Sequence, residues 1–183
     1  MSEGPPHRLP GDPVPAAEIA GMLRVDHAGE FGATRIYAGQ LAVLGRSRAA
    51  QQVRQMALAE NRHLATFEAL LRERRVRPTL LQPLWSVAGY ALGAATALLG
   101  ERAAMACTVA IEEVIDEHYR GQAEQLGAEE PALRETILSF RDEEIAHRDI
   151  AIVQGAEDTP GYDLISTVVK AGSRLAIWLS TRL

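Results

Sequence analysis

Apolar side chains recur every three or four positions along most of this chain, the spacing that gathers them on one face of an α-helix. Runs with this spacing, ended by glycine or proline, predict four long helices at about 15–45, 53–70, 101–126 and 131–155. Two more segments are helical candidates, since 84–100 holds 17 residues without a charge and 162–183 is amphipathic. No run alternates in the manner of a β-strand, so the pattern predicts an all-α protein.

The first 15 residues are a different kind of sequence. "MSEGPPHRLPGDPVP" contains five prolines and no apolar run, and it resembles neither a secretory signal nor an Arg-rich transit peptide. The chain length of 183 residues suits one domain with a sizeable core. We therefore expect a flexible arm over 1–15 and a single domain over 16–183.

Composition narrows the class of protein. Hydrophobic residues make up 47% of the chain and aromatic residues only 5%, which favours a helical core filled with aliphatic side chains. The net charge of −5 argues against a nucleic-acid partner. Cys107 is the sole cysteine, so no disulfide forms within the chain, and we expect it to be a small buried core residue in a reducing compartment.

Several ionisable residues fall on the apolar stripes of the predicted helices. In the first helix, Glu30 lies between Leu23 and Tyr37. In the second, Glu60 and His63 share a stripe with apolar residues at 53, 56, 67 and 70. In the fourth, the same Glu-x-x-His spacing returns as Glu144 and His147, in register with Leu133, Ile137 and Phe140. These acids and histidines are therefore predicted to point into the core.

The third helix offers two adjacent acids, Glu112 and Glu113. The face of Glu112 is mostly apolar and carries Met105, Val109, Ile115, Tyr119 and Leu126. The face of Glu113 carries Ala106, Ala110, Glu117, Arg120 and Glu124. We therefore expect Glu112 inside the core and Glu113 in solvent.

Four carboxylates buried together would repel one another unless positive charge lies among them, and two metal ions meet that need. Residues three apart on a helix point within about 60° of each other, so each Glu-x-x-His can share an ion. The order repeats, because Glu30 precedes Glu60 by 30 residues and Glu112 precedes Glu144 by 32. This ligand set is typical of ferritin-like four-helix bundles with two metals. We expect that fold, with an extra apolar segment and a C-terminal amphipathic helix.

The donor atoms also restrict the metal. Carboxylate oxygen and imidazole nitrogen suit iron or manganese, and the lack of a cysteine ligand disfavours structural zinc. Iron is favoured if the site activates O₂. Three acids near the stripes are candidates to orient a ligating histidine ring, and the pattern leaves open which of them does so: Asp26, Asp116 and Glu143. We interpret His27 and His118 as structural residues.

Three long stretches resemble the demethoxyubiquinone hydroxylase family: "LRVDHAGEFGATRIYAGQLAVLG", "RVRPTLLQPLWSVAGYALGAATALLGERAAMACTVAIEE" and "FRDEEIAHRDIA". The resemblance covers about residues 22–183. It implies a ferritin-like di-iron monooxygenase that hydroxylates the ring of a demethoxyubiquinol with O₂ in the penultimate step of ubiquinone biosynthesis. It also implies two iron ions per chain, since the family's ligands match all six inward residues: Glu30, Glu60, His63, Glu112, Glu144 and His147.

An isoprenoid benzoquinol substrate lives in the bilayer, so we expect peripheral contact with the cytoplasmic face of a bacterial inner membrane. Segment 84–100 is slightly short for a spanning helix, which favours a helix lying on the surface. Trp85, Tyr90 and Trp178 suit an interface. Cations nearby are candidates to meet anionic headgroups: Arg72, Arg74, Arg75, Arg77, Lys170, Arg174 and Arg182.

Other functions remain open on the same ligand set. An iron-storage protein would need a polar exterior and cage assembly, which the apolar segments argue against. A di-iron hydroxylase acting on tRNA is disfavoured by the acidic balance, and a manganese catalase fits the ligands alone. The sequence leaves open the tail length, the reductant, and whether the chain forms a homo-oligomer or binds other pathway proteins.

Overall fold

The computed structural model describes residues 14–183, and residues 1–13, with most of the expected arm, lie outside this part. Six α-helices make up most of residues 14–183, and a 3₁₀ turn at Ala156–Asp158 precedes the last of them. No strand occurs in the part that is described, so the all-α prediction is confirmed. The helices are α1 (Ala16–Leu44), α2 (Arg48–Arg74), α3 (Gln82–Leu98), α4 (Glu101–Leu126), α5 (Pro131–Val153) and α6 (Tyr162–Arg182).

The helix ends follow local sequence signals. Gly45 and Gly127 adopt positive φ directly after α1 and α4, a backbone conformation that glycine adopts without steric cost. The hydroxyl of Ser47 caps α2 by accepting a hydrogen bond from the backbone amide of Ala50. Pro131 occupies the first turn of α5, where its missing N–H costs nothing. These residues at the helix ends divide one long periodic sequence into separate antiparallel helices.

Four of the helices form a bundle made of two hairpins. The α1–α2 hairpin packs beside the α4–α5 hairpin, while α3 lies against α1 and α4, and α6 lies against α4 and α1. This is the ferritin-like arrangement predicted from the four stripes. The two extra helices correspond to the apolar segment and the C-terminal amphipathic helix.

The apolar core is split into two main clusters with polar residues between them. One cluster contains Phe67, Tyr119 and Ile137, and the other contains Val53, Met56, Met105 and Val109. In α1, α2, α4 and α5 alike, the inward acids and histidines lie along the helix between its contributions to the two clusters. Cys107 is fully buried, and burial raises the pKa of its thiol to about 12, so it packs as the expected core residue.

Helix α3 is held in close contact with α1 by glycines. A Cβ on Gly93 would overlap the carbonyl oxygen of Ile36, and a Cβ on Gly39 would overlap that of Tyr90. Only glycine lets the two backbones approach so closely. None of the helices within residues 14–183 is long and apolar enough to cross a bilayer.

Candidate metal centre

The six predicted residues meet in the middle of the bundle as two overlapping groups. Each group offers four ligand atoms that all lie within 4.8 Å of one another. The first group is Glu30, Glu60, His63 and Glu144, and the second is Glu60, Glu112, Glu144 and His147. All six side chains are buried. Since Glu60 and Glu144 belong to both groups, the geometry suits two ions with these two carboxylates between them.

The histidines of the two Glu-x-x-His pairs both contact Glu144. Its Oε1 lies 2.9 Å from Nδ1 of His63, and its Oε2 lies 3.0 Å from Nδ1 of His147. The same nitrogen of His63 is 3.5 Å from Glu30, and that of His147 is 3.2 Å from Glu60. Both histidines therefore turn Nδ1 toward the carboxylates, because three-residue spacing places Glu and His on one face of each helix.

Two tyrosines fix the orientation of the remaining carboxylates. The hydroxyl of Tyr37 donates a hydrogen bond of 2.8 Å to Glu112, and the hydroxyl of Tyr119 donates to Glu30. Burial raises the pKa of both phenols well above the usual value, and nearby carboxylates raise it further, so both keep their proton. Sequence reasoning placed both tyrosines on inward stripes but gave them no role. Their position on inward stripes could have indicated this role, since a buried phenol needs a hydrogen-bond partner.

Charge is distributed unevenly over the four acids. Burial raises the pKa of Glu30, Glu60 and Glu112, and the negative charge of Glu144 raises each of them further. Burial acts on Glu144 as well, but its contacts with His147 and His63 outweigh it and hold its pKa at about 2. The pKa of His63 rises to about 10, since its contacts with Glu144 and Glu30 outweigh the opposing effect of burial. Without a metal, the cluster favours one ionised acid and protonation of its neighbours.

Several buried donor and acceptor atoms at the centre have no hydrogen-bond partner. They include Oε1 of Glu60 and, although they lie close to opposite charges without forming a hydrogen bond, Oε1 of Glu144 and both ring nitrogens of His63. An unsatisfied buried polar atom costs about 1–3 kcal/mol, more if it is charged. Bound cations would satisfy these atoms and offset the repulsion between the carboxylates. The buried oxygen and nitrogen donors therefore fit a metal centre.

Of the three acids proposed to orient a ligating histidine, only Glu143 reaches a histidine of the centre. Its Oε2 lies 3.4 Å from Nε2 of His63, the ring nitrogen facing away from the carboxylate cluster. Phe140, one turn before Glu144 on α5, stacks on the same ring with centroids 3.9 Å apart. The position of the His63 ring is thus determined by contacts on its face and on both nitrogens. Sequence analysis had placed Phe140 on the inward stripe without anticipating this stacking.

The other two acids are engaged elsewhere. Asp26 is buried and contacts His118 and Gln122 at 3.0 and 2.7 Å, and burial raises its pKa. Asp116 accepts a hydrogen bond of 2.6 Å from Arg141. His118 therefore has the structural role expected of it, as the partner of Asp26. These pairs join neighbouring helices of the bundle.

The structure places Glu112 and Glu113 in different environments, but Glu113 is less exposed than the sequence predicted. Glu112 is 3% exposed and belongs to the centre, as predicted. Glu113 is partly exposed but forms an ion pair with Lys170 of α6. The expectation that Glu113 lies in solvent is therefore met only in part, because α6 covers part of that face of α4.

A four-helix bundle that buries two Glu and two Glu-x-x-His between its hairpins has the architecture of the ferritin-like carboxylate proteins, and its Glu and His clusters could bind metal. Within that class, residues 17–180 match the family described as ubiquinone biosynthesis protein COQ7. The chain belongs to this family, which agrees with the resemblance seen in its sequence.

Relatives from bacteria and eukaryotes are similar over nearly the whole chain. A 3-demethoxyubiquinol 3-hydroxylase of Rhodospirillum rubrum is 60% identical over 176 residues, which are 96% of this chain and 83% of that protein. A mitochondrial NADPH-dependent 3-demethoxyubiquinone 3-hydroxylase of Homo sapiens is 49% identical, covering 94% and 81%. A mitochondrial 5-demethoxyubiquinone hydroxylase of Saccharomyces cerevisiae is 40% identical, covering 92% and 79%.

Proposed function

We propose that this protein is a di-iron monooxygenase that hydroxylates the ring of a demethoxyubiquinol in ubiquinone biosynthesis. The observation that carries the proposal is the pair of overlapping ligand groups sharing Glu60 and Glu144. The names of the relatives supply the substrate class, since all three describe hydroxylation of a demethoxyubiquinol or demethoxyubiquinone. Two iron(II) ions supply the paired electrons and the oxygen chemistry that ring hydroxylation requires.

Each residue of the centre has a defined role in this proposal. Glu60 and Glu144, which belong to both ligand groups, would hold the ions together with Glu30 and His63 in one group and Glu112 and His147 in the other. Tyr37 and Tyr119 hold Glu112 and Glu30 in fixed orientations by donating hydrogen bonds to them. The apolar clusters on either side limit the access of water along the length of the bundle, which would help to protect a reactive oxidant from side reactions.

The reaction balance defines the experiment. One atom of O₂ enters the ring as a hydroxyl and the other leaves as water, which consumes two electrons from a reductant and two protons. With ¹⁸O₂ and a demethoxyubiquinol, we expect the label in the new hydroxyl. Label that comes from H₂¹⁸O instead would contradict an oxidant derived from O₂.

The metal is tested by substitution at the shared ligand. Glu144→Ala removes a carboxylate from both groups, so we expect loss of iron and at least about a hundredfold loss of turnover. His147→Ala should lose mainly one ion. Glu135→Ala, an exposed acid on the same helix, serves as the matched control and should retain both. Full iron content in Glu144→Ala would refute the site; manganese, or many irons per chain, would favour a catalase or a storage protein.

We further propose that α3 and α6 rest on the cytoplasmic face of the inner membrane, where an isoprenoid substrate resides. The two helices expose large apolar side chains, including Leu84, Val87, Leu98, Leu164, Val168, Leu175 and Trp178. Their ends are joined, because Trp85 donates a hydrogen bond to Ser180 and the amide of Leu80 donates to the carbonyl of Leu183. Trp85 thus packs against α6, whereas Trp178 is half exposed and lies under the guanidinium of Arg182.

Electrostatics contributes less to this contact than the count of basic residues implies. Several of the expected cations already form ion pairs within the chain: Arg72 with Glu68, Arg74 with Glu130, Lys170 with Glu113, and Arg174 with Glu117. We therefore expect binding driven mainly by apolar side chains, with a modest dependence on salt.

Liposome flotation tests the membrane contact. Replacing both Leu84 and Val87 by Ser should reduce flotation about tenfold or more, since each buried apolar side chain contributes about 1.5–3 kcal/mol. Leu58→Ser is the matched control, because Leu58 is an exposed leucine on α2, away from α3 and α6. A chain that never floats, yet hydroxylates a long-tailed quinol at full rate, would rule out the contact.

A further inference from the structure

A cavity separates α2 from α5 on the side of the bundle opposite the covering helices. Helices α3 and α6 pack on α1 and α4, whereas α2 and α5 contact each other only sparsely. The cavity has a volume of about 280 Å³ and reaches His147. Its polar lining includes Gln52, Gln55, Arg62 and Glu143, and its apolar lining consists of Met56, Ala59, Ala146 and Ile150. It therefore connects a ligand of the proposed centre with the surface.

Glu143 spans the distance from this cavity to the buried centre. Its Oε2 contacts Arg62 at 2.8 Å on the outside and Nε2 of His63 at 3.4 Å on the inside. The Glu143 side chain is 34% exposed and that of Arg62 is 65% exposed, whereas His63 is fully buried. The Nε2 atom of His63, on the inner side of Glu143, has no hydrogen-bond partner. A single carboxylate thus faces both solvent and a ligand of the centre.

The chemistry of the cavity suits a cation on its way inward. A carboxylate and two glutamine side chains offer oxygen atoms, and beyond them lie the carboxylates of the centre. The Arg62 guanidinium neutralises Glu143 and occupies the position that an arriving cation would take. An exposed arginine on a long side chain swings away at little cost, since surface ion pairs contribute at most about 1 kcal/mol.

We propose that the cavity between α2 and α5 is the port through which divalent metal ions reach the centre, with Glu143 receiving the ion and Arg62 closing the port. This proposal rests on the metal centre proposed above, though not on its hydroxylase activity. It assigns opposite effects to the two partners of one ion pair. Glu143 speeds uptake by attracting the ion, and Arg62 slows uptake by neutralising Glu143 and repelling the ion.

The test follows Co²⁺ uptake by the full-length chain after its metal has been removed with a chelator. Circular dichroism checks that each variant stays helical, and visible absorption in a stopped-flow instrument reports binding. Glu143→Gln should slow uptake about tenfold, and Arg62→Ala should speed it several-fold, because a local charge changes the encounter rate by factors of this order. Uptake by the unaltered chain should slow as salt is added. In each variant the rate of Co²⁺ release into excess chelator should change by the same factor as the rate of uptake, so the dissociation constant stays nearly constant.

Two matched controls separate the port from general effects of charge and size. Glu117→Gln and Arg174→Ala break an equivalent exposed ion pair outside the cavity, and both should leave the rates unchanged. Ala146→Leu places bulk at the cavity and should slow uptake, whereas Ala132→Leu, at an exposed alanine on the same helix, should not.

Three results would overturn the port. These are equal rates in all variants, a shift in the same direction for Glu143→Gln and Arg62→Ala, or a loss of equilibrium affinity in Glu143→Gln with unchanged uptake. The last result would mean that Glu143 only orients His63. Failure of the unaltered chain to bind Co²⁺ at all would refute the metal centre itself, which is a distinct outcome.

Discussion

At the scale of single residues, the environment of a carboxylate depends on which side of its helix it occupies. Glu112 and Glu113 are neighbours in sequence, yet Glu112 accepts a hydrogen bond from Tyr37 in the core and Glu113 pairs with Lys170 near the surface. One residue turns the side chain by about 100° around the helix axis. That rotation separates a candidate metal ligand from a residue that attaches α6.

Replacing each of these two acids by glutamine tests this difference. Glu112→Gln removes a charged donor from the second ligand group, so we expect the metal content to fall toward one ion per chain and turnover to be abolished. Glu113→Gln loses only a partly exposed ion pair, which costs at most about 1 kcal/mol of stability and leaves turnover near its original value. Metal analysis and a quinol hydroxylation assay measure both. An equal loss in the two variants would contradict the assignment.

At the scale of elements, close backbone contact determines where α3 lies. The glycines at 39 and 93 allow α1 and α3 to cross with almost no side chain between them. The crossing begins within two turns of Glu30, so the helix that carries this candidate ligand is also the helix that positions α3. The apolar face of α3 is left exposed as a consequence, because α3 contacts the bundle chiefly along its glycine-containing face.

Adding a methyl group at this crossing should separate the helices. In Gly93→Ala the new Cβ would overlap the backbone of Ile36, and we expect a loss of about 1–3 kcal/mol from overpacking. Gly172→Ala is the control, because open space surrounds Gly172 in α6 and alanine is a better helix former by about 0.5–1 kcal/mol. Chemical denaturation measures both, and hydrogen exchange should increase selectively in α3 of Gly93→Ala. Equal stability of the two variants would argue against the close crossing.

At the scale of the whole molecule, a cluster of buried acids should make the free energy of unfolding depend on pH, and on metal if the proposed ions bind. The folded pKa values of Glu30, Glu60 and Glu112 are raised, so their protonated forms stabilise the fold below about pH 4.5, and this contribution is lost as the pH rises through the folded values. For His63 the contribution is complete below 6.5 and lost as the pH rises through about 10. The stabilising contribution of Glu144 is present above pH 4.5 and is lost as the pH falls through about 2, so it changes only in acid.

These signs predict opposite pH dependence for the metal-free and metal-loaded chains. Between about pH 5 and about pH 8 the metal-free chain should lose stability, with Tm falling by several degrees, since about 1 kcal/mol corresponds to roughly 2–4 °C at this size. The loaded chain should become more stable over the same range, because metal binding requires deprotonated ligands. Calorimetry with chelator and with excess Fe²⁺ under anaerobic conditions measures the two slopes. If Tm changes with pH in the same way for both forms, no metal binds among these acids.

Much of this protein was predictable from its sequence because the signals are local. Three- and four-residue periodicity identified the four bundle helices, and two Glu-x-x-His pairs in register with apolar residues identified the polar centre. Glycine and proline marked the ends of α1, α4 and α5 within about two residues, since they act through the backbone of their own turn. Helix α2 extends four to five residues beyond its predicted run at both ends. The family also followed from long stretches of sequence, and the match over residues 17–180 confirmed it.

Only the tertiary structure decided which residues act on one another across helices. The sequence left Asp26, Asp116 and Glu143 as equal candidates, and helix packing brought Glu143 alone to a histidine of the centre. It also placed Lys170 beside Glu113 and left a cavity between α2 and α5. A sequence pattern specifies the direction of a side chain around its own axis. The distance and rotation between two helices depend on how all their side chains pack, which no local pattern contains.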